Sequence, residues 1–92
     1  MVTRRVVLEG RVQGVGFRHF TVQAARDLGV RGTVRNRRDG AVEAILQADD
    51  GEAVESLVDR MREGPRAARV ESVEVEPVED PDRTYDRMSV VW

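Results

Sequence analysis

The sequence has no cysteine and no lysine, one histidine, and only four aromatic residues among 92. Without cysteine, disulfides, thiolate nucleophiles and thiolate metal ligands are all excluded. That absence also suits a reducing compartment, and a cytoplasmic location is expected. No apolar run is long enough for a signal peptide or a membrane span, so no membrane partner is expected. Met1 reads as the natural start of a soluble cytosolic protein. All fifteen basic residues are arginine, which reads as codon bias in a GC-rich genome. The single histidine and scattered acids give no convincing metal-ligand spacing, so neither metal nor cofactor is expected.

Apolar residues make up 40% of the chain and charged residues 35%. That balance, with no linker, repeat or low-complexity run, points to one folded domain over residues 1–92. Net charge is −2 but uneven: residues 1–38 hold nine arginines against Glu9 and Asp27, while residues 39–92 hold six against fifteen acids. The basic half can attract an anionic partner.

Arg5–Val12 alternates as a strand, and Gln13–Gly16 breaks it. A helix of two to three turns begins near Phe17 or Arg18, with Phe17, Phe20, Ala24 and Leu28 as its apolar stripe and Gly29 as its stop. Thr33–Arg38 and Ala41–Gln47 read as strands joined by a type I′ turn at Asp39-Gly40. Asp49 is the expected cap of a second helix, with Glu52 three residues on as its capping-box partner. Val54, Leu57, Val58 and Met61 share one face of that helix, and Gly64-Pro65 ends it. Val70–Glu76 reads as a strand, Pro77–Asp82 as a polar connection, and Tyr85–Trp92 as a last strand. The order βαββαβ plus a terminal strand predicts an α+β, ferredoxin-like sandwich, with two helices on one face of an antiparallel sheet.

The segment from Gly10 to Arg18 carries the sharpest chemistry. Gly14 and Gly16 let the backbone turn and approach a ligand closely. The loop feeds a helix N-terminus, whose unpaired N–H groups and dipole favour an anion. Arg18 can add a planar, bidentate, permanently charged clamp. These residues equally suit a tight strand-to-helix turn with a surface arginine. Asn36 is either a local backbone hydrogen bonder or a catalytic amide. His19 adjoins Arg18, but on a helix the next side chain points about 100° away, so a surface or partly packed position is expected. Arg35, Arg37 and Arg38 read as a solvated face, Phe17 and Phe20 as core, and Asp80 and Asp82 as too isolated for a metal.

Leu8-Glu9-Gly10-Arg11-Val12-Gln13-Gly14-Val15-Gly16-Phe17-Arg18 resembles the first signature of the acylphosphatase family. Gly32-Thr33-Val34-Arg35-Asn36 followed by Gly40-Ala41-Val42 resembles the second. The similarity extends over nearly the whole chain. Two positions depart from it: the family usually has an aromatic residue at Thr33 and a glycine at Ala48. The resemblance implies a ferredoxin-like fold and metal-free hydrolysis of acyl phosphates to carboxylate and inorganic phosphate. It implies Arg18 as the phosphate-binding arginine and Asn36 as the residue that positions the attacking water. The backbone N–H groups of Gly14, Val15, Gly16, Phe17 and Arg18 would complete the cradle. Inorganic phosphate would then be both product and competitive inhibitor.

The physical reading agrees with that implication. A carboxylate leaves without needing a proton, so the reaction asks mainly for charge stabilisation and in-line placement of water. An RNA-binding module shares the element order, but it stacks bases on exposed aromatics of its central strands. Arg5–Val12 and Val70–Glu76, taken as the central strands, contain none, so no nucleic-acid partner is expected. The absence of zinc-ligand cysteines favours a free-standing enzyme over the corresponding domain of a hydrogenase-maturation carbamoyltransferase. Retention of both Arg18 and Asn36 disfavours a catalytically silent regulator. A monomer suffices, and no clear acyl pocket is visible, so broad acyl selectivity is expected.

Overall fold

Alternation along the first strand decides which side of the sheet becomes the core. In a computed structural model describing residues 1–92, β1 spans Val2–Arg11, and its Val6 and Leu8 are wholly buried. Val6 lies opposite Ala44 on one side and Val75 on the other; Leu8 lies opposite Val42 and Val73. The next strands are β2 (Arg31–Asn36), β3 (Val42–Ala48), β4 (Arg69–Pro77) and β5 (Met88–Val90). The sheet order is β4-β1-β3-β2-β5. Each neighbouring pair among β4, β1, β3 and β2 is antiparallel, and β5 joins β2 in parallel. With α1 (Phe17–Leu28) and α2 (Gly51–Glu63), this is the ferredoxin-like α+β sandwich expected from the element order.

The helices cover one face because their apolar residues recur at helical spacing. Val54, Leu57, Val58 and Met61 of α2 are buried, as the sequence predicts. In α1 the buried set is Phe17, Thr21, Val22, Ala24 and Ala25. Phe20 and Leu28 are only half-buried, so the stripe is rotated slightly from the expected one. Gly29 closes α1 in the left-handed conformation with φ 72°.

Several expectations are corrected. Val70–Glu76 lies on an edge strand; the second central strand is β3, which also lacks aromatics. β3 pairs along one side of β1, from Val2 opposite Ala48 to Leu8 opposite Val42, leaving β4 only the other side. Asp50, not Asp49, caps α2: its carboxylate accepts from the Glu52 N–H at 2.9 Å. Glu52 is then two residues beyond the cap, so the capping-box spacing is not met. Asp49 faces Arg31 instead, at 3.4 Å.

The hairpin is not a two-residue type I′ turn. Arg37 N–H donates to Ala41 O at 2.8 Å, and Gly40 N–H donates to Arg37 O at 3.2 Å. Gly40 has φ 95°, whereas no non-glycine residue, Asp39 included, has positive φ. The Asp39 carboxylate accepts from Ala41 N–H at 3.0 Å and so holds the longer turn. That closure ends β2 at Asn36, two residues short of Arg38. The last strand contracts from Tyr85–Trp92 to Met88–Val90, because the backbone N–H of Tyr85 is taken by the buried Gln47 side chain at 2.9 Å.

Candidate active site

The loop after β1 turns through two glycines in the left-handed region, Gly14 at φ 74° and Gly16 at φ 80°. A side chain at either position would be strained. A Cβ at either would meet nothing within 4 Å, so that side of the loop is open to a ligand. Gly16 caps α1 without a side-chain hydrogen bond, and no acid stands in the first turn. The first intrahelical bond there is Phe20 N–H to Gly16 O at 3.0 Å. The amides before Phe20 are the helix's unpaired donors, and with the helix dipole they form an anion-accepting end.

Arg18 is the second residue of α1 and is half-buried. It takes part in none of the molecule's six ion pairs, so its charge is not committed to a carboxylate. Its guanidinium carbon lies 4.6 Å from the ring centroid of Trp92, a cation–π contact. Asn36 ends β2 opposite Val42. One cleft of about 500 Å³ is lined by Gly14, Gly16, Phe17, Arg18 and Asn36 together. Val15 alone of the expected cradle residues does not line it; its side chain packs against the core, leaving its backbone to contribute.

Three further features were not expected. Gln13 ties the cradle to the hairpin that carries Asn36: its Nε2 donates to Arg37 O at 2.7 Å and to Ala41 O at 3.0 Å. No local pattern signals a contact spanning 24 to 28 residues. Trp92 lines the cleft, reached only through the register of β5 on β2. His19 also lines it while remaining exposed, because the cleft runs along α1 past Val22, Gln23 and Arg26. The surface position expected for His19 is met, and the cleft extends far enough along α1 to include it.

Arg35 and Arg37 are held by Glu43 at 2.6 Å and Asp39 at 2.9 Å, while Arg38 is exposed. On the uncovered sheet face Glu43 also accepts from Arg5, which reaches Glu76 at 2.6 Å. Burial pushes the Glu43 carboxyl upward, but the hydrogen bonds and charges of Arg5 and Arg35 outweigh it and leave its pKa lowered. The same network raises the Arg5 pKa, chiefly through its hydrogen bond to Glu43. Thr33 pairs with Ile45 and Ser89, and the buried Ala48 pairs with Val2; neither lines the cleft.

A second cleft of about 610 Å³ lies between α2, the start of β1 and Val75 of the edge strand β4. Asp50, Glu52, Glu55 and Asp59 line it, against Arg4 and Arg62. It lacks a glycine cradle, and its acids oppose a phosphate group. No three His, Cys, Asp or Glu side chains in the molecule are grouped to hold a metal ion.

Comparison with known proteins agrees with this fold. The family model described as Acylphosphatase matches residues 4–88. The acylphosphatase of Nitrobacter hamburgensis is 57% identical over 77 residues, covering 84% of this chain and 77% of that protein. The crystal structure of acylphosphatase from Bacillus subtilis superposes with a TM-score of 0.94 at 33% identity, covering both chains completely. HypF from T. kodakarensis contains a similar unit, with a TM-score of 0.87 at 26% identity, covering this whole chain but 12% of that one. Fold and sequence likeness extend along the same stretch of chain, and the protein belongs to the acylphosphatase family.

Proposed function

We propose that this chain hydrolyses the carboxyl–phosphate anhydride of small acyl phosphates, releasing a carboxylate and inorganic phosphate without a metal ion. The observation that supports this most directly is the meeting, in one cleft, of an open glycine cradle, an arginine free of ion pairs and the Asn36 amide. The amides of Gly14–Arg18 and the Arg18 fork hold the phosphate oxygens and stabilise the charge they carry during transfer. Asn36 accepts from and orients a water in line with the bond to be broken. As water attacks phosphorus, the P–O bond to the acyl group breaks and its electron pair leaves on the carboxylate. The water's proton passes to a phosphate oxygen. The leaving carboxylate is a weak base, so no side chain has to protonate it.

In this reading residues 1–92 act as one monomeric domain in the cytoplasm. Inorganic phosphate occupies the cradle as product and competitive inhibitor. The test is hydrolysis of benzoyl phosphate by purified protein in excess chelator, followed by release of benzoate and phosphate. Turnover that survives chelation and is competitively inhibited by phosphate supports the proposal. Turnover lost in chelator and restored by magnesium would refute its metal-free form; no hydrolysis under either condition would refute it altogether. In a phosphate titration, the largest amide shifts should fall on Gly14–Arg18.

A further inference from the structure

We propose that the indole of Trp92 forms the acyl-group subsite of this cleft and favours planar aromatic acyl phosphates, an inference that rests on the acyl-phosphate reading above. β5 runs parallel to β2 with Val34 aligned to Val90, and Val91 N–H donates to Val34 O at 2.9 Å. Side chains on one face of a strand recur every second residue, so continuing that alternation one step past the end of β5 brings Asn36 and Trp92 to the same face. Both line the cleft.

Trp92 is 94% exposed, so its large apolar surface is mostly unused within the protein. The one cation stacked on it is Arg18, 4.6 Å from the ring centroid. The other aromatic of the cleft, Phe17, is only 2% exposed and unavailable to a ligand. Val90, at 36% exposure, extends the apolar surface beside the indole. In an acyl phosphate the carbonyl carbon is one bridging oxygen from phosphorus. A phosphate held by the Arg18 fork therefore brings its acyl group beside the ring on which that fork stacks. A planar ring can cover the indole in an offset or edge-on arrangement, whereas an acetyl group covers little of it.

The test uses two stable mimics in which a methylene replaces the bridging oxygen: phenacylphosphonate for benzoyl phosphate and acetonylphosphonate for acetyl phosphate. Their affinities are measured by calorimetry on the parent, Trp92→Ala and Trp92→Phe. The aromatic-over-methyl affinity ratio should fall about fivefold in Trp92→Ala, the scale of one aromatic stack, and largely return in Trp92→Phe. The kcat/KM ratio of benzoyl over acetyl phosphate should fall in parallel. Taking the ratio cancels any effect of the lost indole on Arg18 itself. An affinity ratio in Trp92→Ala that stays within twofold of the parent would overturn the subsite. If the parent hydrolyses neither acyl phosphate, the hydrolase reading fails, while the phosphonate ratio still decides the role of Trp92.

Discussion

Gln13→Ala should loosen the site without touching a group that contacts substrate. Gln13 supplies both hydrogen bonds by which its side chain joins the cradle to the β2–β3 hairpin, 2.7 Å to Arg37 O and 3.0 Å to Ala41 O. Each carbonyl keeps one backbone partner after truncation: Gly40 N–H on Arg37 O and Arg37 N–H on Ala41 O. Neither is left unsatisfied, so the loss is that of two net hydrogen bonds, about 1–2 kcal/mol in all. In a domain of this size that lowers Tm by about 5–10 °C. Gln13→Glu should be worse than alanine at neutral pH, because it turns a carboxylate toward two carbonyl oxygens. The gap should narrow in acid, where a protonated Glu regains one donor. Urea denaturation of both variants measures this as a shift in midpoint at unchanged slope. Turnover, assayed well below either Tm, should fall ~10- to 100-fold, because Asn36 and the cradle lose their common register. A Gln13→Glu protein as stable as the parent, or a Gln13→Ala protein with full turnover, would refute the reasoning.

Glu43→Gln should lower stability at pH 7 by about 1–3 kcal/mol, less than breaking a fully buried pair because Arg5 and Arg35 both reach solvent. The folded pKa of Glu43 is lowered. Its contribution is therefore full above the unfolded carboxyl pKa and disappears as pH falls through the lower folded one. Denaturant midpoints of parent and variant should begin to converge only below about pH 4, the ordinary glutamate range; a constant gap down to pH 2 would contradict the assignment. His19→Ala should keep most of its turnover although His19 lines the cleft, since the leaving carboxylate needs no proton. A loss of several orders of magnitude in a folded variant would identify His19 as a base.

Elements set by local pattern were legible in the sequence. The stripe Val54, Leu57, Val58 and Met61 needs only the helical period, and Gly29 needs only the left-handed stop of α1. The alternation of Val6 and Leu8 marks a strand with one buried face, but it does not say which strands flank it. The sequence alone makes Val70–Glu76 look central, because nothing in it records that β3 already occupies the other side of β1. The Asp39-Gly40 pair suggested a two-residue turn. The Asp39 carboxylate reaching Ala41 N–H stabilises a longer one, and that choice lies in side-chain geometry. Arg18 and the two cradle glycines were legible because strand, turn and helix start are contiguous there. The links from Gln13 to the hairpin and from Trp92 to Arg18 were not, since both depend on which strands become neighbours.

The most direct test of the account is the kinetics of Asn36→Ala on benzoyl phosphate, with inorganic phosphate as competitor and circular dichroism as the folding control. Asn36 is assigned to the water and the Gly14–Arg18 cradle to the phosphate. Turnover at saturation should therefore fall ~100-fold or more, the scale of losing one preorganised polar contact, while the inhibition constant of phosphate stays near that of the parent. A folded Asn36→Ala protein that no longer binds phosphate yet turns over normally at saturation, or one with unchanged hydrolysis, would contradict the assignment.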